Sequence, residues 1–528
     1  MKIYHTIFNH VLAPITPGPS SSNTAGPIRI GLVCRQLLGE MPVKVRIEYD
    51  KTGAFPLNLY GMKSDIAFIN GLLGKDLNSK DLNQAYQEAA EARMDVVFSE
   101  VDDLQKYGPE AVRIYLTTES GEQHVFEGES LGGGAFCIHS MDQYPMNIQG
   151  NQYEMYLFLE SISCDQKNKL EKEILSAVKG LNEHFIWQEE NNMLAVIRSA
   201  MPFTEEIAEK FRAFEGVKDI RTVCPVHPII SDVSRVPVFE TPEEMVKYCE
   251  EHKCTVAQAA IDYEISLSGW GEEQVRNYAK HLLKVMRTSC EKGYEEELVY
   301  PRVLSPFASK GRKNIGQQNL SLGFLDTAFT DAASVMEYSN ASGKIVCIPT
   351  GGAAGIVPGV LFSAARELAS TDEEIYEALM CAGMIGVLMM VDGNEFFGGV
   401  HGCQSEVGCG TAMASAALVS LMGGTAQNAC DAASMSLQCL MGLVCDPVAG
   451  MVQVPCIARN MAGTAIAATC AKSVLAGFDP VIPFGEMCHA MVRTSALVTK
   501  TVRNGCRGCC TTPTATNLKQ EMSKLRKS

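Results

Sequence analysis

The sequence predicts a multidomain α+β protein with an N-terminal α/β domain, a ferredoxin-like module and a C-terminal all-α domain. Three observations support this prediction. A chain of 528 residues exceeds what one hydrophobic core usually serves. Strand-like and helix-like periods alternate up to about residue 228, whereas from about residue 235 onward the period is helical. We place the domains at residues 1–150, 151–228 and 235–528.

The first domain mixes strand-like and helical runs. The segments "VKVRIEYD" and "AVRIYLTT" alternate apolar with polar residues, as half-buried strands do, and the domain ends in the glycine-rich "GESLGGGAFCI". An α/β domain is the simplest arrangement for such a mixture.

The second part has the element order βαββαβ within about seventy residues. The predicted strands are "YEMYLFLE", "HFIWQEE", "NMLAVIRS" and "VKDIRTV", and the predicted helices are "CDQKNKLEKEILSAVKGL" and "TEEIAEKFRAFE". This order is that of a ferredoxin-like module.

A proline-rich segment, "PVHPIISDVSRVPVF", predicts a linker to the C-terminal domain. The next helix has a complete start signal, with Thr241 as N-cap, Pro242 at the first position and Glu244 closing a capping box. Everything beyond it is rich in Ala, Gly, Met and Cys and has a helical period, so the sequence predicts one all-α domain.

The bulk composition excludes several classes of partner. The formal net charge of -16 argues against nucleic acid, because phosphate binding needs a surplus of Lys and Arg on some face. The most apolar run, "ALMCAGMIGVLMMVDGN", stops at Asp392 and indicates a buried helix, so we expect no membrane partner. The N-terminal residues lack the pattern of a secretory signal, and we expect a cytoplasmic protein.

The cysteines are unevenly distributed, with eleven of the twenty between Cys403 and Cys510. In a reducing compartment this crowding favours metal ligation over disulfides, although many of these thiols suit buried apolar positions. Cys403, Cys445 and Cys456 stand out because Gly or Pro neighbours let the backbone approach a bulky inorganic group. Three thiolates can hold three irons of a [4Fe-4S] cluster, but the spacing alone favours three structural thiols or a zinc site.

The stretch "GPSSSNTAGPIRIG" places a run of short hydroxyl and amide side chains between two Gly-Pro breaks. Such a run can donate several hydrogen bonds to an anionic group, or it can form a surface turn.

Several segments together resemble the iron-sulfur L-serine dehydratases, also called L-serine ammonia-lyases, over nearly the whole chain. The segments "IPTGGAAGIVPGVL", "GCQSEVG", "GLVCDPVAGMVQVPCIARN" and "RGCCTTPTA" resemble the α-domain of that family. The segments "GPSSSNTAGPIRIG" and "SLGGGAF" resemble its β-domain. The resemblance implies an ACT-like middle module, a homodimer, and a [4Fe-4S] cluster ligated by Cys403, Cys445 and Cys456.

The same resemblance implies an active site for a small amino acid or hydroxy acid. The activity it implies is β-elimination of L-serine, or of a related β-substituted amino acid, to a 2-keto acid and ammonia. The open iron of the cluster would act as a Lewis acid toward a substrate oxygen. The residues implied to hold the substrate are Ser21, Ser22, Asn23, Thr24, Asp65, Thr350, Gly351, Gly352 and Asn394.

This chain departs from the family at two expected histidines. Asn23 stands where the family pattern Ser-Ser-Ser-His-Thr has its imidazole, and Met62 stands where Gly-His-Gly-Thr-Asp has the second. Because β-elimination needs a base for the α-proton, Lys63 and His401 are the candidates, the latter in "FFGGVHG" beside the first ligand. The alternatives are a solvated surface lysine and a hydrogen-bonded structural histidine.

Two further departures concern regulation and the fourth iron. The segment "LESISCDQKN" lacks the Pro-Gly turn of an amino-acid-binding ACT loop, so packing or dimerisation is the expected role of the module. The segment "NGCRGCC" supplies Cys506, Cys509 and Cys510 near the expected cluster, as a fourth ligand, a redox guard or plain thiols.

Two other functions remain open at this stage. One keeps the cluster chemistry but changes the substrate to another small hydroxy acid or β-thio compound, and the exchanged histidines with Phe396 and Phe397 favour it. The other is a non-catalytic protein, either a sensor that carries a cluster or zinc, or an ACT-type regulatory protein.

Overall fold

The computed structural model describes residues 4–104, 106–295, 297–394, 396, 398–497 and 508–525. The strands are β1 (Ile15–Pro17), β2 (Lys44–Asp50), β3 (Asp95–Val101), β4 (Ala111–Thr117), β5 (Gln123–Gly132), β6 (Ala135–Met141), β7 (Tyr144–Ile148), β8 (Tyr153–Leu159), β9 (Leu181–Glu189), β10 (Asn192–Ser199), β11 (Val217–Val223) and β12 (Lys344–Val346). The helices are α1 (Ala25–Leu38), α2 (Phe55–Asn58), α3 (Ser64–Leu72), α4 (Ala85–Glu91), α5 (Cys164–Ala177), α6 (Glu205–Arg212), α7 (Pro242–His252), α8 (Val256–Ser268), α9 (Glu272–Lys292), α10 (Ala308–Ile315), α11 (Leu325–Asn340), α12 (Ile356–Leu368), α13 (Asp372–Leu388), α14 (Gly398–His401), α15 (Cys409–Leu421), α16 (Ala426–Leu440), α17 (Cys456–Leu475), α18 (Phe484–Thr494) and α19 (Pro513–Leu525).

The N-terminal region is built on a six-stranded sheet with the order β3-β2-β4-β5-β6-β7. Only β2 and β3 run parallel, and the other pairs are antiparallel. Helices α1 and α3 cross very closely, because a Cβ at Gly71 would lie 2.2 Å from the carbonyl oxygen of Ile28. Glycine at this crossing lets α1 lie deep in the domain and fixes the loop that precedes it.

The middle region forms a four-stranded sheet with the order β11-β8-β10-β9 and the connections β8-α5-β9-β10-α6-β11. This is the predicted βαββαβ order, and each predicted strand and helix is present. Residues of β8 alternate between two cores: Tyr156 packs toward the six-stranded sheet, whereas Leu157 packs toward α5 and α6. The small sheet is therefore covered on both faces.

The C-terminal region is mainly helical, and α13 and α15 form its centre. Every residue of α13 from Ala378 to Leu388 is buried, as the run "ALMCAGMIGVLMMVDGN" predicts. In the described part of the chain, no helix is both long and apolar enough to cross a membrane. The predicted capping box at the start of α7 is confirmed, with the side chain of Thr241 accepting from the backbone N–H of Glu244.

One element of this region differs from the sequence expectation. The residues beyond 235 were expected to be helical throughout, but Lys344–Val346 forms a strand that pairs antiparallel with β1. In this pairing Ile15 lies opposite Val346 and Pro17 lies opposite Lys344. The pairing sets two loops side by side: the serine-rich loop after β1 and the Thr350–Gly352 turn after β12.

Candidate active site

A cavity of about 80 Å³ lies where these two loops meet the glycine-rich segments of the helical region. We call it the cysteine cavity. Its lining includes Ser20, Ser22, Asn23, Asn58, Met62, Glu110, Gly352, Gly398, Gly399, Glu406, Cys445, Pro447, Gly450, Val452 and Cys456. Backbone from both halves of the chain therefore builds one site, and its size suits a small molecule.

The three predicted ligand cysteines come from separate segments around this cavity. Cys403 is buried directly before the π-helical turn Gln404–Gly408, Cys445 lies in the loop after α16, and Cys456 is the first residue of α17. Burial raises the pKa of each thiol, and the nearby carboxyl and thiol groups raise those of Cys445 and Cys456 further. The thiols are therefore close enough to interact electrostatically.

The polar surroundings of these thiols include one cation. Arg459 forms a salt bridge with Asp446, with 2.9 Å between Nη2 and Oδ1, and its Nη1 donates to the carbonyl oxygen of Val444 at 2.7 Å. The guanidinium also lowers the pKa of the nearby Cys403 thiol, against the effect of burial. Arg459 thus places a positive charge where thiolates would need one.

Across the described residues, no three His, Cys, Asp or Glu side chains converge closely enough to hold a single metal ion. Three thiolates on one zinc ion would stand within about 4 Å of one another, since each Zn–S bond is about 2.3 Å. Three thiolates on different irons of a cluster stand farther apart, because the cluster itself lies between them. Three mutually interacting thiols with a neighbouring guanidinium are a donor set that fits a [4Fe-4S] cluster, whose irons bind thiolates.

The serine-rich loop divides its side chains between two sides. Ser20, Ser22 and Asn23 line the cysteine cavity, and Ser21 Oγ accepts from the backbone N–H of Gly351 at 3.4 Å. Thr24 turns away, because its hydroxyl is bonded to the carbonyl oxygens of Ser20 and Pro17 at 2.7 and 3.0 Å. Three residues of the loop therefore face the cavity and two hold the loop in place.

Two buried carboxyl groups face the same cavity, and the sequence analysis missed both. Glu110 Oε1 accepts from Asn23 Nδ2 at 3.0 Å and from Ser22 Oγ at 3.2 Å, whereas its Oε2 has no hydrogen-bond partner among the described residues. Burial, with a smaller contribution from Glu406, raises the pKa of Glu110 to about 8. Asn23, which stands where the resemblance implies a histidine, thus holds a carboxyl group.

Glu406 lies on the helical side of the cavity. It accepts a hydrogen bond from Thr350 Oγ1 at 2.8 Å, and burial raises its pKa to about 7. Glycines make room for it, since a Cβ at Gly398 would lie 2.2 Å from its Oε2 and a Cβ at Gly352 would lie 3.1 Å from its Oε1. Glu406 stands within the "GCQSEVG" motif, so the motif itself was a usable signal.

The two proposed bases lie elsewhere. Lys63 has φ +62° and points into a neighbouring cavity of about 330 Å³, where its ammonium group donates to Ser342. Thr24 lines that neighbouring cavity too, whereas Met62 lines the cysteine cavity. His401 ends α14, and its ring nitrogens lie 3.2 Å from Ser495 Oγ and 3.3 Å from the carbonyl oxygen of Gly393. The structure therefore brings neither group into the cysteine cavity.

The remaining predicted substrate residues occupy supporting positions. Asp65 accepts from the Tyr86 hydroxyl at 2.9 Å, away from the cysteine cavity. Asn394 accepts from Ser405 Oγ at 2.6 Å and donates to the carbonyl oxygen of Met389, so its amide holds the segment beside the first cysteine.

The aromatic and C-terminal residues that the sequence singled out are only partly described. Phe396 is buried, whereas Phe397 lies outside the described residues. Cys509 donates its backbone N–H to Asp446 at 2.8 Å, which places it beside the loop of Cys445. Cys510 is partly buried, and Cys506 lies outside the described residues.

A small cavity lined by buried carboxyl groups with raised pKa values is typical of an enzyme active site. Comparison with known proteins agrees with this class. Residues 243–509 match the family model described as "Serine dehydratase alpha chain". The chain therefore belongs to the L-serine dehydratase family.

Individual relatives extend the match to nearly the whole chain. "L-serine dehydratase 1" of Escherichia coli is 27% identical over 505 residues, which cover 93% of this chain and 95% of that protein. "Probable L-serine dehydratase, alpha chain" of Bacillus subtilis is 32% identical over 287 residues, which cover 54% of this chain and 95% of that protein. "L-serine dehydratase, alpha chain" of Peptoniphilus asaccharolyticus is 33% identical over 257 residues, covering 48% and 87% respectively.

Proposed function

We propose that this protein is an iron-sulfur lyase that converts L-serine, or a related small β-substituted amino acid, to a 2-keto acid and ammonia. The observation that supports it best is the cysteine cavity, where two of the three predicted ligand thiols, two buried carboxyl groups and the serine-rich loop face one small volume. The names of the relatives, which include dehydratases matched over nearly the full chain, support the same reaction class.

Cys403, Cys445 and Cys456 would hold the [4Fe-4S] cluster. When bound, the group supplies a Lewis acid for the β-hydroxyl oxygen of the substrate. Burial keeps the free thiols protonated, so metal binding has to displace their protons, and the Arg459 guanidinium offsets part of the resulting negative charge.

The serine-rich loop would bind the substrate carboxylate. Ser20 lines the cavity, and a hydroxyl donor to a carboxylate forms a strong, charge-assisted hydrogen bond, whereas the Ser22 hydroxyl is already donated to Glu110. Glu406 lies on the helical side of the cavity and would accept from the α-ammonium group. These contacts orient the Cα–H bond before any proton moves.

Glu110 would remove the α-proton. Its Oε1 is anchored by Asn23 and Ser22, so the unpartnered Oε2 is the oxygen left to accept a proton. As Oε2 takes the proton, the Cα–H electron pair forms the Cα–Cβ double bond and the β-hydroxyl group leaves as hydroxide. The protonated Glu110 carboxyl group then gives its proton to this hydroxide, which forms water and returns Glu110 to the carboxylate. The enamine product tautomerises to an imine, and one water hydrolyses it to the 2-keto acid and ammonia.

The cluster ligands can be tested with alanine variants and a matched control on the same helix. Cys456→Ala removes a proposed ligand at the start of α17, whereas Cys470→Ala removes a buried thiol farther along that helix. After anaerobic purification, we expect Cys456→Ala to lose iron, sulfide and turnover of L-serine, and Cys470→Ala to keep all three. A Cys456→Ala protein with full iron content and turnover would refute the ligand assignment.

A different small substrate is the second candidate function. Met62 lines the cavity, so its surface is more apolar than the histidine of the family pattern would make it. The test is steady-state turnover of L-serine, L-threonine, L-cysteine and small 2-hydroxy acids by the iron-loaded protein. Serine as best substrate by a wide margin would reject this candidate. Iron-loaded protein without turnover of any compound would instead favour a cluster-bearing sensor.

The middle region would serve packing rather than ligand binding. Residues 151–228 would form an ACT-like module between the β-domain at 1–150 and the cluster-bearing domain at 235–528. Its sheet already packs against the six-stranded sheet on one face, which supports a structural role. A homodimer remains part of this proposal, and light scattering of the purified chain measures it.

A further inference from the structure

A second cavity, of about 350 Å³, lies between α1, the 225–228 segment and α9. We call it the Arg29 cavity. Its polar lining comprises Arg29, Gln36, Asn78, His227, Tyr278 and His281, and the carboxylate of Asp76 also borders it. Asp76 is exposed and already accepts from its own turn at Asn78 and Ser79, so it belongs to the outer edge.

Arg29 is a buried cation whose charge has no counterion in the described structure. Its side chain is 3% exposed, its Nη1 donates to the carbonyl oxygen of Gly134 at 2.6 Å, and its Nε has no hydrogen-bond partner among the described residues. The neighbouring groups that act on its pKa are Tyr278 and Cys347, both neutral at pH 7. Burial lowers this pKa to about 10, so the guanidinium stays charged near neutrality.

The histidines around Arg29 add no negative charge. The rings of His10 and His227 are stacked with centroids 6.4 Å apart, and His227 Nδ1 is buried without a hydrogen-bond partner among the described residues. Burial, together with the charge of Arg29, lowers the pKa of His227 and of His10, so both rings are neutral. A buried, uncompensated guanidinium beside open volume is unfavourable unless an anion pairs with it.

We propose that the Arg29 cavity is a binding site for a small anion with a carboxylate or phosphate group. The guanidinium suits both groups, because its N–H donors that are not bonded to Gly134 can form charge-assisted hydrogen bonds with carboxylate or phosphate oxygens. His227 and Tyr278 supply further polar atoms on the same wall. This site is separate from the cysteine cavity, and the two share no lining residue.

An anion bound in the Arg29 cavity would act on the serine-rich loop through α1. Arg29 lies in the second turn of α1, and that helix begins directly after the serine-rich loop. The Ser130 hydroxyl, which donates to the carbonyl oxygen of Ser22 at 2.8 Å, packs against Gly26 at the start of the same helix. Binding at Arg29 is therefore expected to change KM for the amino-acid substrate more than kcat.

The test is calorimetric titration of the full chain with inorganic phosphate, acetate and malonate, with sodium chloride as the ionic-strength control. The variants are Arg29→Lys, which loses the fork but keeps the charge, and Leu32→Trp, which fills the cavity from α1. Arg35→Lys, on the same helix but outside the lining, is the matched control. We expect saturable binding to the wild-type chain and the control, weakened at least tenfold in both cavity variants.

The anion that saturates identifies the source, phosphate or carboxylate. If Arg29→Lys does not fold, Leu32→Trp decides, because it leaves the guanidinium in place. Absence of saturable binding to the wild-type chain overturns the proposal. Binding that both cavity variants retain also overturns it. So does binding that Ser20→Ala weakens while Leu32→Trp does not, since the anion would then sit in the cysteine cavity.

Discussion

Replacing Glu110 by glutamine should make the protein more stable and inactive at the same time. Gln has the shape of Glu, and its amide oxygen can keep the hydrogen bonds from Asn23 and Ser22. Its NH₂ group takes the place of Oε2, which has no partner among the described residues. The substitution therefore removes the ionisable group, which is the proposed base, with little change in packing.

The size of the effect follows from the pKa of the carboxyl group. Folding raises this pKa from 4.5 to about 8, so the folded state holds the proton more tightly than the unfolded state. The contribution of Glu110 to the free energy of unfolding is therefore fully present below pH 4.5 and is lost as the pH rises through 8. At 1.36 kcal/mol for each pKa unit, the loss is about 3 kcal/mol at pH 7 and about 5 kcal/mol above pH 8.

Thermal unfolding of the anaerobic protein between pH 5 and 9 measures this difference. We expect the midpoint of Glu110→Gln to exceed that of the wild-type chain by an amount that grows with pH and levels off above pH 8. Glu119→Gln, in the exposed turn between β4 and β5, should follow the wild-type curve. A midpoint difference that does not change with pH would refute the assignment of Glu110 as a buried, normally protonated carboxyl group.

Further predictions concern the rate and the cavity walls. The wild-type kcat should rise with pH up to about 8, because Glu110 must be ionised to accept the α-proton, and a kcat that is flat from pH 6 to 9 would contradict this. Lys63→Met should leave turnover within about threefold, because Lys63 lines another cavity, and a hundredfold loss would restore it as the base. Gly398→Ala should lower turnover at least tenfold, since its Cβ would lie 2.2 Å from Glu406 Oε2. Gly316→Ala, which has open space around its Cβ, should keep the wild-type turnover. Equal activities of the two variants would show that Glu406 can move aside.

The sequence predicted the middle region well because local signals decide it. Each of its strands has a period of two or a continuous apolar run, and Ser163 and Thr204 cap its two helices as local motifs. The short strand β12 was missed because three residues carry no period, and its partner β1 lies more than 300 positions away. Only the folded chain brings these segments together.

The candidate site was predictable where a motif fixes the backbone and unpredictable where burial decides the chemistry. Cys445 and Cys456 face one cavity because glycine and proline shape their loops. Glu110 looks like an ordinary acidic residue before a strand, and only the tertiary structure buries it against Asn23. Lys63 follows Met62 directly, but its left-handed backbone turns it into the neighbouring cavity, which sequence distance does not reveal.

The pairing of β1 with β12 also determines how late in translation the cysteine cavity can be completed. The serine-rich loop lies within the first thirty residues to be translated. Strand β12, which pairs with the strand before that loop, ends at Val346, and the last proposed ligand is Cys456. A nascent chain that extends past β12 and ends before Cys456 contains every strand of the six-stranded sheet but lacks part of the lining of the cysteine cavity. The proposed cluster can therefore assemble only after Cys456 has been translated, and a product truncated before this residue would lack one of the proposed ligands.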